Sequence, residues 1–187
     1  MISPTLLFSS IDGPAQLFLC VVLAAAAWID LDRQKIPNVL TYPTMVVGIG
    51  YHWAMYGLEG LSFSLLGLAT GFGVLVLFYF MGGMGAGDVK LMAAVGAFLG
   101  AKGVFISFIF TALYGGVYSL LLILMYRQIF RGFFTDLYNT LLAFLLIKRY
   151  QPIRVVEHEN KPRLCYGMAI ALGTFTYVGM VMSGYEF

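Results

Sequence analysis

The chain has 187 residues, of which 60% are hydrophobic and 11% are charged, and its formal net charge is +2. A soluble domain carries about 25% charged residues, so this composition indicates an integral membrane protein. The small net charge gives no electrostatic basis for binding nucleic acid. Cys20 and Cys165 form no CxxC pair, so the sequence supports neither a zinc knuckle nor a dithiol redox motif.

Six apolar runs predict membrane-spanning helices, since a helix needs about 20 apolar residues to cross a bilayer. Pro14 and Pro37 fit helix starts, where the N–H that proline lacks has no partner. The predicted spans are residues 14–29, 37–55, 61–81, 88–99, 104–126 and 166–182, of which the fourth is short. We therefore expect an all-α polytopic membrane protein with about six transmembrane helices, folded as a single membrane-embedded domain over residues 1–187.

The distribution of basic residues predicts the orientation, because cytoplasmic loops carry an excess of Lys and Arg. The loops on one side hold all but one of the basic residues, and the exception on the other side is Lys102, which accompanies Asp12, Glu59 and Glu186. The predicted cytoplasmic set is Arg33, Lys35, Lys90, Arg127, Arg131, Lys148, Arg149, Arg154, Lys161 and Arg163. Both the N-terminus and the C-terminus are therefore expected outside.

Residues 127–163 form the ambiguous part of the chain. Within them, the apolar residues of 133–147 recur at helical spacing, with Thr135, Asp136, Asn139 and Thr140 between them. That pattern favours an amphipathic helix lying in the cytoplasmic interface of the membrane. A re-entrant hairpin is the alternative.

Two aspartates adjoin apolar runs, where ionisable side chains are costly and are candidates for function. Asp30 closes the first run, and Asp88 follows the third. Two crossings separate them, so both carboxylates are expected at the same cytoplasmic edge. Asp32 lies two residues from Asp30 and would point to nearly the opposite side of a helix, so we expect only Asp30 to meet Asp88. The alternative is a pair of solvated charges that end a span.

A glycine-rich loop precedes the second aspartate. Gly85 and Gly87 permit a sharp bend and a close approach of another backbone, and Asp88 fits the N-cap of a helix that begins at Val89. The simpler interpretation is a flexible turn with a capping carboxylate. Lys90 either tunes the aspartate pair or meets an acidic group of a substrate, or it extends its ammonium group to the membrane interface.

Three stretches together carry a family pattern. They are Asp30 with Pro37, Asn38, Leu40 and Thr41; Gly85-Ala86-Gly87-Asp88 with Lys90 and Leu91; and 165–173, CYGMAIALG. This combination resembles the prepilin peptidase family of GxGD-class membrane aspartic peptidases. The resemblance implies that Asp30 and Asp88 are the catalytic pair and that Gly85, Gly87 and Lys90 support them. It also implies an enzyme that removes the short basic leader from type IV prepilins or from related pilin-like and flagellin-like precursors.

The resemblance is strongest to the short, peptidase-only members, because the methyltransferase region of the longer members and its paired CxxC motifs are not found. It implies a multi-pass protein of the inner (cytoplasmic) membrane, active toward the cytoplasm, with no cofactor. His52 and His158 do not form an HExxH motif, so no metal site is expected. The sequence does not identify substrate-binding residues.

Two other functions compete with this interpretation. Paired membrane carboxylates also relay protons, as in an ion-coupled transporter or proton channel. Against a transporter, both aspartates are predicted near one face of the membrane, and the chain shows no duplicated halves. The second alternative is a non-catalytic scaffold of a pilus or secretion system, which would cleave no precursor.

Overall fold

The computed structural model describes residues 13–80, 84–125 and 165–185. These residues form four helices: α1 (Gly13–Arg33), α2 (Asn38–Phe80), α3 (Ala86–Met125) and α4 (Tyr166–Met182). The predicted all-α class is therefore confirmed for the described part of the chain. By length and composition, α1, α2 and the 86–121 part of α3 are apolar enough to cross a membrane, whereas α4 is a shorter apolar helix.

Two glycines interrupt the long helices. Gly57 (φ 61°, ψ −137°) breaks α2, and Gly100 (φ 70°, ψ 179°) breaks α3. These backbone angles are open to glycine and rarely to other residues. The breaks divide the described residues into six helical segments, and the six predicted runs match them to within a few residues. That all six cross a membrane, with both termini outside, stays a prediction.

The segment after Gly57 runs antiparallel to the segment before Gly100. Ser64 Oγ donates a hydrogen bond to the carbonyl of Ala97 over 2.7 Å. Further along the same pair of segments, Gly71 lies against the carbonyl of Met92. Small residues let the two backbones approach closely, which is how apolar helices commonly pack in membranes. Every residue from 91 to 100 is buried, so this segment forms the centre of the fold.

Helix α4 packs against the second segment of α3. Gly173 lies against Thr111, and Gly103 lies against Tyr177, so the two helices run antiparallel. Near its start, α4 also contacts the end of α1 through Gly167 and Asp30. The C-terminal end of α1 therefore lies beside the N-terminal end of α4. We call this the aspartate end, where α1 ends and α2, α3 and α4 begin. The opposite end, with Gly57 and Gly100, is the glycine-turn end.

The chain separates into two compact units, 1–115 with 165–187 and 116–164. Both ends defined above belong to the first unit. Of the second unit, only the end of α3 is described. The predicted interfacial segment 127–163 lies outside the described residues, and so do most of the basic residues used to predict orientation. The single-domain organisation also stays a prediction.

Candidate active site

Asp30 lies in the last turn of α1 with its side chain facing the interior. It is 5% exposed, although α1 continues to Arg33. The Gln34 N–H donates to the backbone carbonyl of Asp30 over 2.9 Å, and Gln34 takes a positive φ of 52° as the helix ends. Asp32, on the other side of the helix, is exposed and lies 3.7 Å from Arg33 Nε. The expectation that these two aspartates point to nearly opposite sides of the helix is confirmed.

Asp88 is the third residue of α3 and is 8% exposed. Its Oδ2 accepts a hydrogen bond from the Gly85 N–H over 3.1 Å. Its own N–H donates to the Gly85 carbonyl over 3.1 Å. The predicted N-cap role is therefore wrong, because α3 begins at Ala86 and Gly85 takes the N-cap position. Asp88 instead occupies the third helical position, from which a carboxylate reaches back to the N-cap N–H and satisfies it.

The start of α4 contacts Asp30 at two points. The Gly167 N–H donates to Asp30 Oδ2 over 2.9 Å. Just before the helix, the Cys165 thiol lies 3.7 Å from the backbone carbonyl of Asp30, to which it donates. Both residues belong to the stretch 165–173 that carries the family resemblance, but no role was predicted for either of them. A backbone donor has no side-chain signature, so only the packing of α4 on α1 could identify it.

Asp30, Asp88 and Cys165 lie within electrostatic reach of one another. The negative charge of Asp30 acts on Asp88. Cys165 lies outside α4, and burial raises the pKa of its thiol, with the charges of Asp30 and Asp88 raising it further. The structure therefore brings together the two aspartates that the sequence singled out. Because the sequence places two predicted spans between them, this proximity arises from the tertiary structure.

The predicted supporting glycines occupy tight positions. A Cβ on Gly87 would lie 3.1 Å from the Cβ of Ile36 and 3.2 Å from its carbonyl oxygen. Ile36 is buried in the loop between α1 and α2, so Gly87 lets that loop pass over the first turn of α3. A Cβ on Gly85 would lie 3.2 Å from Asp88 Oδ2. The expected close approach of another backbone is found at Gly87.

Lys90 joins the first turns of two helices. Its Nζ donates to Asn38 Oδ1 over 2.8 Å and lies 4.9 Å from the centroid of the Tyr42 ring. The side chain thus links α3, which carries Asp88, to the start of α2. Extension of the ammonium group to the membrane interface stays a prediction. A role in tuning the aspartate pair stays a prediction.

The ionisable side chains at the aspartate end suit acid–base chemistry. Within residues 13–80, 84–125 and 165–185, no three His, Cys, Asp or Glu side chains are grouped so that they could hold a metal ion. His52 lies at the glycine-turn end, where its Nδ1 is 2.8 Å from the Gly48 carbonyl and its ring packs against Phe63 and Phe98. Two buried carboxylates, each held by a backbone N–H, are available for proton transfer at the aspartate end.

Comparison with known proteins identifies the family of this chain. The sequence profile of the type IV leader peptidase family matches residues 17–120, a range that contains both aspartates. The prepilin leader peptidase/N-methyltransferase of Aeromonas salmonicida is 35% identical over 118 residues, which are 59% of this chain and 40% of that protein. The protein of the same description from Escherichia coli is 36% identical over 97 residues, 48% of this chain and 42% of that protein. The one from Pseudomonas aeruginosa is 31% identical over 115 residues, 58% and 40% respectively.

The chain thus spans about two fifths of the length of these relatives. No solved structure matches it.

Proposed function

The chain belongs to the type IV leader peptidase family, and we propose that it is a membrane aspartic endopeptidase acting on type IV prepilin-like or preflagellin-like precursors. In this proposal it removes their short basic leader at the cytoplasmic face of the inner membrane. The observation that carries the proposal is the convergence of Asp30 and Asp88, both buried and both accepting a backbone N–H, at one end of the helices.

The proposed mechanism uses the two carboxylates as one unit. Neighbouring carboxylates share a proton, because two like charges in a buried site do not easily coexist. The ionised member takes a proton from water, and the resulting nucleophile attacks the carbonyl carbon of the scissile peptide bond. The protonated member donates a hydrogen bond to the carbonyl oxygen. The tetrahedral intermediate then collapses as a proton passes to the leaving amine.

The local geometry does not separate the two carboxylates into distinct roles. Asp88 lies in the first turn of its own helix, α3, and accepts the Gly85 N–H. Asp30 lies at the end of α1 but accepts an N–H from the first turn of α4. Each therefore meets the N-terminal end of a helix, which carries partial positive charge. We assign proton transfer to the pair, which titrates as a unit.

The position of the pair along the helices favours peptide cleavage over proton relay. Asp30 is three residues from the end of α1, and Asp88 is the third residue of α3. Chemistry at a helix end is accessible from the membrane surface, whereas the sites of many secondary transporters lie near the bilayer midplane. Arg33, Lys35 and Lys90 lie near the same end, and a basic end favours the cytoplasmic side.

Co-expression with an epitope-tagged prepilin-like precursor tests the proposal. The wild-type chain is expected to convert the precursor to a form shortened by its leader. Asp30→Asn and Asp88→Asn keep side-chain size and each is expected to abolish visible conversion. Asp32→Asn is the matched control, because Asp32 is exposed and lies 3.7 Å from Arg33 Nε. Conversion at the wild-type rate by either buried variant contradicts the dyad, and absence of conversion by the wild-type chain supports a transporter or scaffold.

A further inference from the structure

Asp30 and Asp88 are held in different ways. The N–H that binds Asp88 comes from Gly85, three residues away in the same turn. The N–H that binds Asp30 comes from Gly167, 137 residues away on a different helix. The position of Asp88 is thus set locally by the start of α3. The position of Asp30 depends on how α4 packs beside α1.

The start of α4 encloses Asp30 at its backbone and at its carboxylate. Cys165 Sγ lies 3.7 Å from the Asp30 carbonyl oxygen, and the Gly167 nitrogen lies 2.9 Å from Oδ2. Cys165 and Gly167 are both buried. Farther along, α4 is fixed to α3 where Gly173 meets Thr111. The position of α4 therefore determines, through residues 165–167, where the Asp30 side chain lies.

Gly167 is the residue at which an added side chain would most disturb the position of the Asp30 carboxylate. A Cβ there would lie 2.9 Å from Asp30 Oδ2 and 3.1 Å from both its Cγ and its Cβ. All three atoms belong to the Asp30 side chain, and none is backbone. The carboxylate end of the side chain can rotate away, whereas the Asp30 Cβ is fixed to the α1 backbone, so α1 and α4 must also separate by a few tenths of an ångström. An alanine at this position would therefore displace the carboxylate and shift the two helices slightly apart.

We propose that Gly167 is a positioning residue, which uses its N–H and its lack of a side chain to hold the Asp30 carboxylate in register with Asp88. This inference rests on the proposed peptidase function, in which Asp30 is one of the catalytic pair. In it, α4 takes part in the active site through a backbone N–H. The alternative is that Gly167 serves only the packing of α4 against α1.

The first test compares Gly167→Ala with Gly179→Ala. Gly179 lies on the same helix, and a Cβ added there would meet no atom within 4 Å, so it controls for the glycine-to-alanine change itself. Gly167→Ala is expected to lower kcat for precursor cleavage by about tenfold or more, the scale expected when a catalytic group is misplaced by about 1 Å. KM and the thermal unfolding temperature in detergent micelles are expected to stay near those of Gly179→Ala.

The pH–rate profile separates positioning from packing. Displacing the carboxylate from the N–H donor removes a stabilising contact from its ionised form, so the acidic limb of the profile is expected to move to higher pH in Gly167→Ala. An unchanged profile with a lowered unfolding temperature assigns Gly167 to packing and overturns the proposal. Equal kcat for the two alanine variants also overturns it.

Cys165 provides a readout that needs no cleavage activity. Its thiol lies next to Asp30, and the thiolate is the form that reacts with methyl methanethiosulfonate. Burial raises the pKa of this thiol, and the negative charges of Asp30 and Asp88 raise it further. Removing one charge lowers that pKa, so Asp30→Asn is expected to speed labelling at a fixed pH. Cys20→Ala serves as the background, since Cys20 is the other cysteine of the chain.

In that background, Gly167→Ala is expected to change the labelling rate of Cys165 by about twofold or more, and Gly179→Ala is expected to leave it unchanged. Equal rates in the two variants overturn the placement of Asp30 by Gly167. If the wild-type chain cleaves no precursor but Gly167→Ala alone changes the labelling rate, the peptidase proposal fails while the positioning of Asp30 stands.

Discussion

At the aspartate end, Gly85 and Gly167 bring backbone N–H groups against carboxylates, whereas at the glycine-turn end Gly57 and Gly100 break helices with angles that suit glycine. The same residue type thus holds carboxylates at one end and connects helical segments at the other. The two uses depend on different properties. The first needs a missing Cβ beside another group, and the second needs a backbone conformation that side chains disfavour.

The buried polar groups of the two ends also differ in the groups that surround them. The carboxylates of Asp30 and Asp88 accept N–H donors and lie within reach of each other's charge. His52, at the glycine-turn end, is paired with the carbonyl of Gly48 on its own helix and packed among aromatic rings such as Phe63. Variants at the aspartate end should therefore change the reaction, while variants at the glycine-turn end should change stability.

Substitution of either buried aspartate should slow precursor cleavage more than any of the changes described below. Asp30→Asn or Asp88→Asn alone is expected to reduce the cleavage rate by about 10²–10⁴-fold, the usual contribution of positioned acid–base groups. Because the proposed mechanism uses the two as a unit, the double variant should lose no more than about the larger single loss. Glu59→Gln, an exposed carboxylate toward the glycine-turn end, is the control and should retain the wild-type rate. Losses that multiply in the double variant would show that the two aspartates act independently.

The next largest change is expected in the stability of variants at Gly57 and Gly100, the turns of the glycine-turn end. Gly57→Ala is expected to cost about 1–3 kcal/mol of stability through backbone strain, because its φ is +61° and nothing crowds the missing Cβ. Gly100→Ala adds a collision with the Phe63 ring to a φ of +70°, so its loss should be larger. Thermal unfolding in detergent micelles measures both.

The control for these turn variants is Gly50→Ala, which lies within α2 with open space around it and should change stability by about 1 kcal/mol or less. The folded fraction of the turn variants should keep the wild-type KM and pH–rate profile. A shifted profile would show that the two ends are coupled, and the comparison would fail.

The smallest effect is expected at the bridge between Lys90 and Asn38. A double-mutant cycle with Lys90→Met and Asn38→Ala should give a coupling of about 0.5–1 kcal/mol in thermal stability, because the hydrogen bond is partly open to solvent. We expect the pH–rate profile of Lys90→Met to match that of the wild-type chain. A profile that moves would instead support the alternative from the sequence, in which Lys90 tunes the aspartate pair.

Much of the fold followed from local pattern. Apolar runs predicted six segments, and the described helices break into six at Gly57 and Gly100. The main differences are at helix ends. The first helix extends past Ile29 to Arg33, and α3 begins at Ala86, which moves Asp88 from the N-cap to the third position. Hydropathy sets where a run is apolar, but hydrogen bonds at the termini set where a helix starts and stops.

For this protein, the amino-acid sequence alone determined the class of fold, the approximate segments and the two unusual carboxylates, because hydropathy and charge are properties of the residues themselves. The tertiary structure decided what those carboxylates touch. The Gly167 N–H on Asp30, the Lys90 contact with Asn38 and the passage of Ile36 over Gly87 each join residues far apart in the chain. Two of these contacts use backbone atoms, which every residue has, so the pattern of residue types could not reveal them.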